Sequence, residues 1–244
     1  MKRIASPPEP EALANFRSTN PTGTWQEFKN TIGNESVFDA LAAAQGYLCA
    51  YCEIEIQRAL KGQVEHWEPK SASTTTRNLH LAFSNLLAAC EGGTNPHLRG
   101  RSENPIGQTQ HCGALKGDQS PAGRMLDPRS LPEKPSIWHV DHAGRMSVDT
   151  AACQASQVDS GLAASTLEFL GLNRRVLARL RQTLLEELDK ELKDVGDGEL
   201  AKQILSIASR ELSSDAQGRL RPFWSTVRAW CHPWGETVIL PSTT

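Results

Sequence analysis

The chain has 244 residues, a formal net charge of −2, 39% apolar residues and 22% charged residues, which describes a globular protein able to bury a core and excludes a disordered or fibrous one. No apolar run approaches the length that spans a bilayer, no apolar stretch of the secretory kind follows Met1-Lys2-Arg3, and the overall basic excess of a typical nucleic-acid binder is missing. A cytoplasmic protein without membrane contact is expected, in which closely spaced cysteines point to metal rather than disulfides, and nucleic acid would have to be met by a local basic surface drawn from Lys61, Lys70, Arg77, Arg99, Arg101, Lys116, Arg124 and Arg129.

Residues 1–20 are polar and proline-containing, and predict a loose start. Over 24–46, Trp25, Phe28, Val37, Phe38 and Leu41 recur at near-helical intervals. Asn34 or Ser36 is the candidate cap of a helix through Ala40–Gln45, which Gly46 ends. Residues 47–66 suit a tight knuckle followed by strands. Residues 91–110 have loop composition and read as an insertion. Alternating Ile137, His139 and Asp141, then Met146 and Val148 beyond Gly144, predict a β-hairpin turning at Asp141-His142-Ala143-Gly144.

The last third is predicted helical. Val176, Leu177, Leu180, Leu184, Leu188, Leu192 and Val195 recur three or four apart and predict one apolar face, with Asn173 as N-cap and Gly196 as stop. A second helix uses Leu200, Ile204, Leu205, Ala208 and Leu212. A last one holds Phe223, Trp224, Val227 and Trp230 and ends at His232-Pro233. The aromatic set Phe223, Trp224, Trp230 and Trp234 reads either as anchors for a docking partner or as plain core. The expected organisation is an N-terminal helical segment (1–46), a metal-bearing module (47–130), a hairpin and loop region (131–160) and a helical region (161–244).

Chemistry concentrates in the second of these regions. Cys49 and Cys52 form a C-x-x-C knuckle, and Cys90 and Cys112 supply a second pair. Four thiolates suit tetrahedral structural Zn²⁺. His111 is an alternative to Cys112, and Cys153 and Cys231 are expected to be ordinary buried thiols. Glu65-His66 falls between the two halves of the clamp, and Asn85 follows. An imidazole can activate water near neutral pH. A carboxylate suits a hard cation such as Mg²⁺ or Mn²⁺. An amide both donates and accepts, so it can hold a loop. Each residue alone would be unremarked; together they suit hydrolysis of a phosphodiester. A non-catalytic zinc module that binds nucleic acid or protein would need the cysteines but not Glu65, His66 or Asn85.

This order of residues resembles the HNH (ββα-metal) endonuclease superfamily, and more closely the PtuB-like nuclease subunit of Septu-type and retron-associated anti-phage systems. The resemblance is carried by Val64-Glu65-His66 with Pro69-Lys70, by Asn85-Leu86-Leu87 with Cys90, and by Cys112-Gly113-Ala114-Leu115-Lys116-Gly117. Weaker similarity continues through Leu126-Asp127-Pro128 and Leu170-Gly171-Leu172-Asn173 to about residue 185. It implies an α+β fold, a mainly helical chain around a small zinc-clamped ββα-metal module. It implies that His66 is the general base, Glu65 a ligand of a catalytic cation, Asn85 the holder of the hairpin loop and the four cysteines structural. Lys116 departs from the histidine often found near its position and is a possible phosphate contact, which leaves the second protein ligand of the cation unassigned; Asp118 or His111 could supply it. Gly113 stands where the resemblance expects Asn. The implied partners are DNA, an ABC/SMC-like ATPase and, in some systems, a retron reverse transcriptase with its RNA–DNA product. A stand-alone restriction-like HNH nuclease is the nearest alternative.

Overall fold

The computed structural model describes residues 1–57, 62–93, 109–196 and 198–239. It opens with three helices, α1 (Glu11–Thr19), α2 (Trp25–Lys29) and α3 (Asn34–Ala44). The expected loose start is not found. Met1, Ile4 and Leu13 are buried, the Trp138 indole donates to the Met1 carbonyl at 2.7 Å, and the Ile4 amide donates to the Pro128 carbonyl at 3.2 Å. A few apolar side chains among polar neighbours are enough to dock the segment, and composition hides them. Helix α2 starts at a capping box made by Thr24 and Glu27. Helix α3 starts without one: Gly33 precedes it, and Ser36 donates to the Gly33 carbonyl at 2.7 Å instead of accepting an amide. Gly46 does follow it as expected, at φ +67°, a conformation that favours glycine.

The knuckle at Cys49–Cys52 leads to β1 (Gly62–His66), which pairs antiparallel with β2 (Leu86–Cys90) so that Glu65 faces Leu87 and His66 faces Leu86 in register. One buried side chain ties helix, knuckle and ribbon together. The Gln45 amide donates to the Leu48 carbonyl at 2.8 Å and the Ala88 carbonyl at 2.7 Å, and its oxygen accepts from the Ala88 amide at 2.9 Å. After β2, the backbone at Gly92 lies so close to His111 that a Cβ there would sit 2.2 Å from the His111 carbonyl. The ends of the expected 91–110 insertion therefore meet; its body, with Arg99 and Arg101, lies outside the described residues, as does Lys61. A single-turn helix, α4 (Cys112–Lys116), comes next.

The predicted hairpin is present as β3 (Trp138–Val140) and β4 (Met146–Val148). Helices α5 (Thr150–Ala155) and α6 (Ser160–Phe169) follow, each opened by an aspartate cap, Asp149 and Asp159. Helix α7 spans Arg175–Lys190. Asn173 does not cap it; its side chain brackets Met146, accepting from the amide and donating to the carbonyl, each at 2.8 Å. The buried face of α7 is turned from the expected one: Val176 and Leu180 are exposed, while Leu177, Arg181, Leu184 and Leu188 face inward. Helix α8 (Leu200–Glu211) buries Ile204 and Ile207 but exposes Leu205. Helix α9 (Trp224–Trp230) stops just before His232-Pro233 as expected, but it is not the last: α10 (Trp234–Val238) follows, with Pro233 at its start. Phe223 and Trp224 are buried, and Trp230 and Trp234 pack against the same core. Phe223 and Trp224 thus belong to the core, as the plain-core reading expects, while Trp230 and Trp234 are only partly buried. Among the described residues no helix is long and apolar enough to cross a membrane.

Candidate metal centre and adjoining Glu-His site

The four predicted cysteines converge. Their sulfurs all lie within 4.8 Å of one another, with 3.7 Å between Cys52 and Cys90 and 4.0 Å between Cys49 and Cys112. Sulfurs at about 2.3 Å from a tetrahedral zinc stand about 3.8 Å apart, so the donor set and its spacing fit Zn²⁺. All four are free thiols and buried. Burial pushes the Cys52 and Cys112 thiols well up, while hydrogen bonds from Cys112 and the other thiols hold Cys90 well down. Four thiols so close cannot all ionise without a cation among them. His111 is not a fourth ligand in place of Cys112; its Nδ1 lies 3.2 Å from the Cys112 sulfur, where it can hydrogen-bond the thiolate. Cys112 itself sits at φ +54°, held by its amide donating to the Leu170 carbonyl at 2.8 Å. Cys153 and Cys231 are buried outside this cluster.

The acid and imidazole lie toward the end of the ribbon that the 67–85 loop closes, while Cys90 lies at its open end. His66 is buried, at 7% exposure. Its Nε2 donates to the His80 carbonyl at 3.1 Å, and its ring meets Trp25 edge-on with 5.3 Å between centroids. Burial first, then the positive charge of Lys70, lowers its pKa to about 4, the His80 bond notwithstanding. The imidazole is therefore neutral at physiological pH, with its lone pair on Nδ1.

Asn85 holds the loop that joins the two strands. Its oxygen accepts from the Glu68 amide at 2.8 Å, and its amide donates to the Glu68 carbonyl at 3.1 Å and the Leu79 carbonyl at 3.0 Å. One side chain thus pins both ends of the 67–84 crossing.

Glu65 meets Lys116. The ammonium lies 3.0 Å from Oε1 and also donates to the His66 carbonyl at 3.0 Å and the Gly117 carbonyl at 3.2 Å. Lys116 is 2% exposed, so its three protons go to protein acceptors and none is displayed to a phosphate. Its work here is to join α4 to β1. Burial raises the Glu65 pKa while Lys116 pulls it down. Oε2 is left on the side of Gly113, whose added Cβ would fall 2.5 Å from it. A divalent cation, were one held here, would have this one carboxylate oxygen and would need oxygens of water or substrate to complete its shell. Neither expected second ligand joins it: His111 is at the sulfurs, and Asp118 accepts from the Ser71 hydroxyl at 2.6 Å. Among the described residues the four cysteines are the one group of three or more ligand-type side chains.

Of the predicted basic residues that are described, several are engaged within the protein. Arg77 pairs with Glu68, and Arg129 pairs with Asp127. Arg124 donates to Gln119 at 2.5 Å. Lys70 is exposed, and its charge acts on Glu65, His66 and His80. His80 escaped the sequence reading. The clue was a histidine between two leucines, Leu79 and Leu81, both fully buried in the structure.

A buried four-thiol centre that could hold a metal thus lies beside a two-stranded ribbon bearing an imidazole and a carboxylate. Comparison with known proteins shows the family. The chain is 33% identical over 208 residues, 76% of its length and 79% of the relative's, to an Escherichia coli protein provisionally named the HNH endonuclease of retron Ec83. It is 30% identical over 152 residues, 62% of its length and 64% of the relative's, to a Vibrio cholerae serotype O1 biovar El Tor protein provisionally named the HNH endonuclease of retron Vc95. The chain belongs to this family of retron HNH endonucleases. No family model matches it, and no solved structure matches it.

Proposed function

We propose that the protein is a metal-dependent endonuclease that hydrolyses phosphodiester bonds of nucleic acid, DNA foremost, with β1, β2 and α4 forming a ββα unit. The observation that supports this reading is the placement of Glu65 and His66 toward the loop end of a ribbon whose open end, at Cys90, enters the four-thiol centre. Cys49, Cys52, Cys90 and Cys112 would hold Zn²⁺ as a structural ion. His66, neutral and fixed through Nε2, takes a proton from water at Nδ1 as that water attacks the phosphorus in line. Glu65 would hold a divalent cation through Oε2; such a cation supplies positive charge to the leaving 3′ oxygen. Asn85 keeps the loop, and with it the His80 carbonyl, in place. Lys116 keeps Glu65 from turning away. The product carries a 5′ phosphate.

The retron names of the relatives support a place beside a reverse transcriptase and its RNA–DNA product. The resemblance to Septu-type nuclease subunits supports a role in anti-phage defence with an ABC/SMC-like ATPase. Co-expression with the products of neighbouring genes and co-purification test both. The activity itself is tested by incubating the protein with plasmid DNA, single-stranded DNA and RNA in Mg²⁺ or Mn²⁺. The unmodified protein should cut at least one of these, and His66→Ala should fold, retain zinc and lose cutting. Cutting by His66→Ala at the unmodified rate would remove the assignment. Absence of cutting under every condition, with the partners present, would favour a non-catalytic zinc module.

A further inference from the structure

A groove of about 880 Å³ runs along the 73–84 loop and reaches toward the Glu-His site through His80. One wall is the loop that Asn85 pins, with Ser73, Thr75, Thr76 and Asn78; the facing wall brings Thr22 and Thr24 from the segment before α2. His80 lines it too, and His80 is also the residue whose carbonyl holds His66. The loop is built rather than slack. Thr74 and Arg77 bond each other's backbones, the Asn78 amide donates to the Pro21 and Gly23 carbonyls at 3.0 and 2.8 Å, and the Ser73 hydroxyl accepts from the Leu79 amide at 3.0 Å.

The His80 ring is fixed in one tautomer. Its Nδ1 accepts from the Trp25 amide at 3.2 Å, which leaves the proton on Nε2. Burial lowers its pKa, so this N–H is a neutral donor at physiological pH. Lys70 is near enough for its charge to act on both histidines. A hydroxyl-rich wall and a fixed N–H, with the Arg17 and Arg77 guanidiniums also in the lining and paired with Glu9 and Glu68, are complementary to a sugar–phosphate backbone, which offers acceptors at every step.

We propose that this groove carries the substrate strand next to the cleavage point, and that the His80 Nε2–H donates to a phosphate oxygen there. This rests on the nuclease reading above. His80 then has two duties: its backbone orients the general base and its side chain grips the substrate. Sequence preference is expected to be weak, because the donors face the backbone of the strand and not base edges.

The test is binding of fluorescein-labelled single-stranded and duplex DNA oligonucleotides by anisotropy, in a His66→Ala background so that nothing is cut. Thr76→Glu places a negative charge on the exposed wall and should weaken binding about tenfold or more at low salt. His80→Ala should weaken it similarly, and His80→Gln, which keeps an N–H donor, should recover part of the loss. Ser214→Glu, in a second groove beside Asp215, should bind as the parent does. Thermal melting confirms that each variant is folded; should His80→Ala not fold, Thr76→Glu decides. Unchanged binding by folded Thr76→Glu, in a protein whose parent cuts the same DNA, overturns the groove and leaves the nuclease reading standing. If the unmodified protein neither binds nor cuts any nucleic acid, the nuclease reading falls and the groove assignment with it.

Discussion

A histidine held neutral is the first thing the site needs, and burial supplies it. The His66 pKa of about 4 places the acid limb of kcat/KM, which reports the free enzyme, well below the ordinary imidazole range. A pH–rate profile whose acid limb falls near 6.5 would mean that His66 is solvated or is not the base. The same burial has a cost in stability. Between 6.5 and about 4 the unfolded chain binds a proton that the folded chain does not, so stability falls as pH drops through that window, by roughly 3 kcal/mol in all, and levels off below it. Lys116 belongs to this scale as well. Lys116→Met strips a buried carboxylate of its partner and should cost about 3–5 kcal/mol. Glu65→Gln combined with Lys116→Met should cost less than the two singles added, which urea unfolding of the four proteins measures. Additive losses would show that the pair is not an energetic unit.

At the scale of elements, the loop between β1 and β2 depends on one amide. Asn85→Ala removes three hydrogen bonds and leaves the Glu68 amide unpartnered, at about 2–4 kcal/mol. Hydrogen exchange should quicken across 67–84 and not in α7; uniform quickening would place Asn85 in the global core instead. The motif residues of this region were legible because each has a chemical type that few positions need. Cys49, Cys52, Cys90 and Cys112 came together as their spacing suggested. Helix faces were read less well. On α7 the apolar repeat predicted Val176 and Leu180 inside, yet Arg181 takes the inner face because backbone carbonyls await its guanidinium: Gly144 at 2.9 Å and Leu172 at 2.6 Å. No periodicity argument expects a buried arginine. Asn173 shows the same limit, since a residue with good capping chemistry was drawn to the β-hairpin by Met146. His80 and Gln45 act through contacts between segments far apart in the chain, which spacing alone does not reveal.

Over the whole molecule, Arg181 connects the helical third to the metal centre. It is 1% exposed, lies over Phe223 at 5.7 Å, and its charge acts on Cys52, Glu53 and Cys112. Four thiolates around one divalent ion would leave a net negative charge, which a buried guanidinium would offset. Arg181→Met should therefore loosen zinc about tenfold in competition with a chelator, and unchanged affinity would reduce Arg181 to a packing role. Glu53, next to Cys52, accepts from the Ser225 amide at 2.8 Å and hydroxyl at 2.6 Å, so the metal knuckle is fastened to α9 as well. The helical third is thus part of the scaffold that holds the site.

The most direct measurement is the metal content of the purified protein, followed as its thiols are titrated with a mercurial reagent. The account predicts one zinc per chain, released as Cys49, Cys52, Cys90 and Cys112 react together. A protein that carries no zinc when purified without chelators, and whose thiols react one by one with no metal set free, would contradict it.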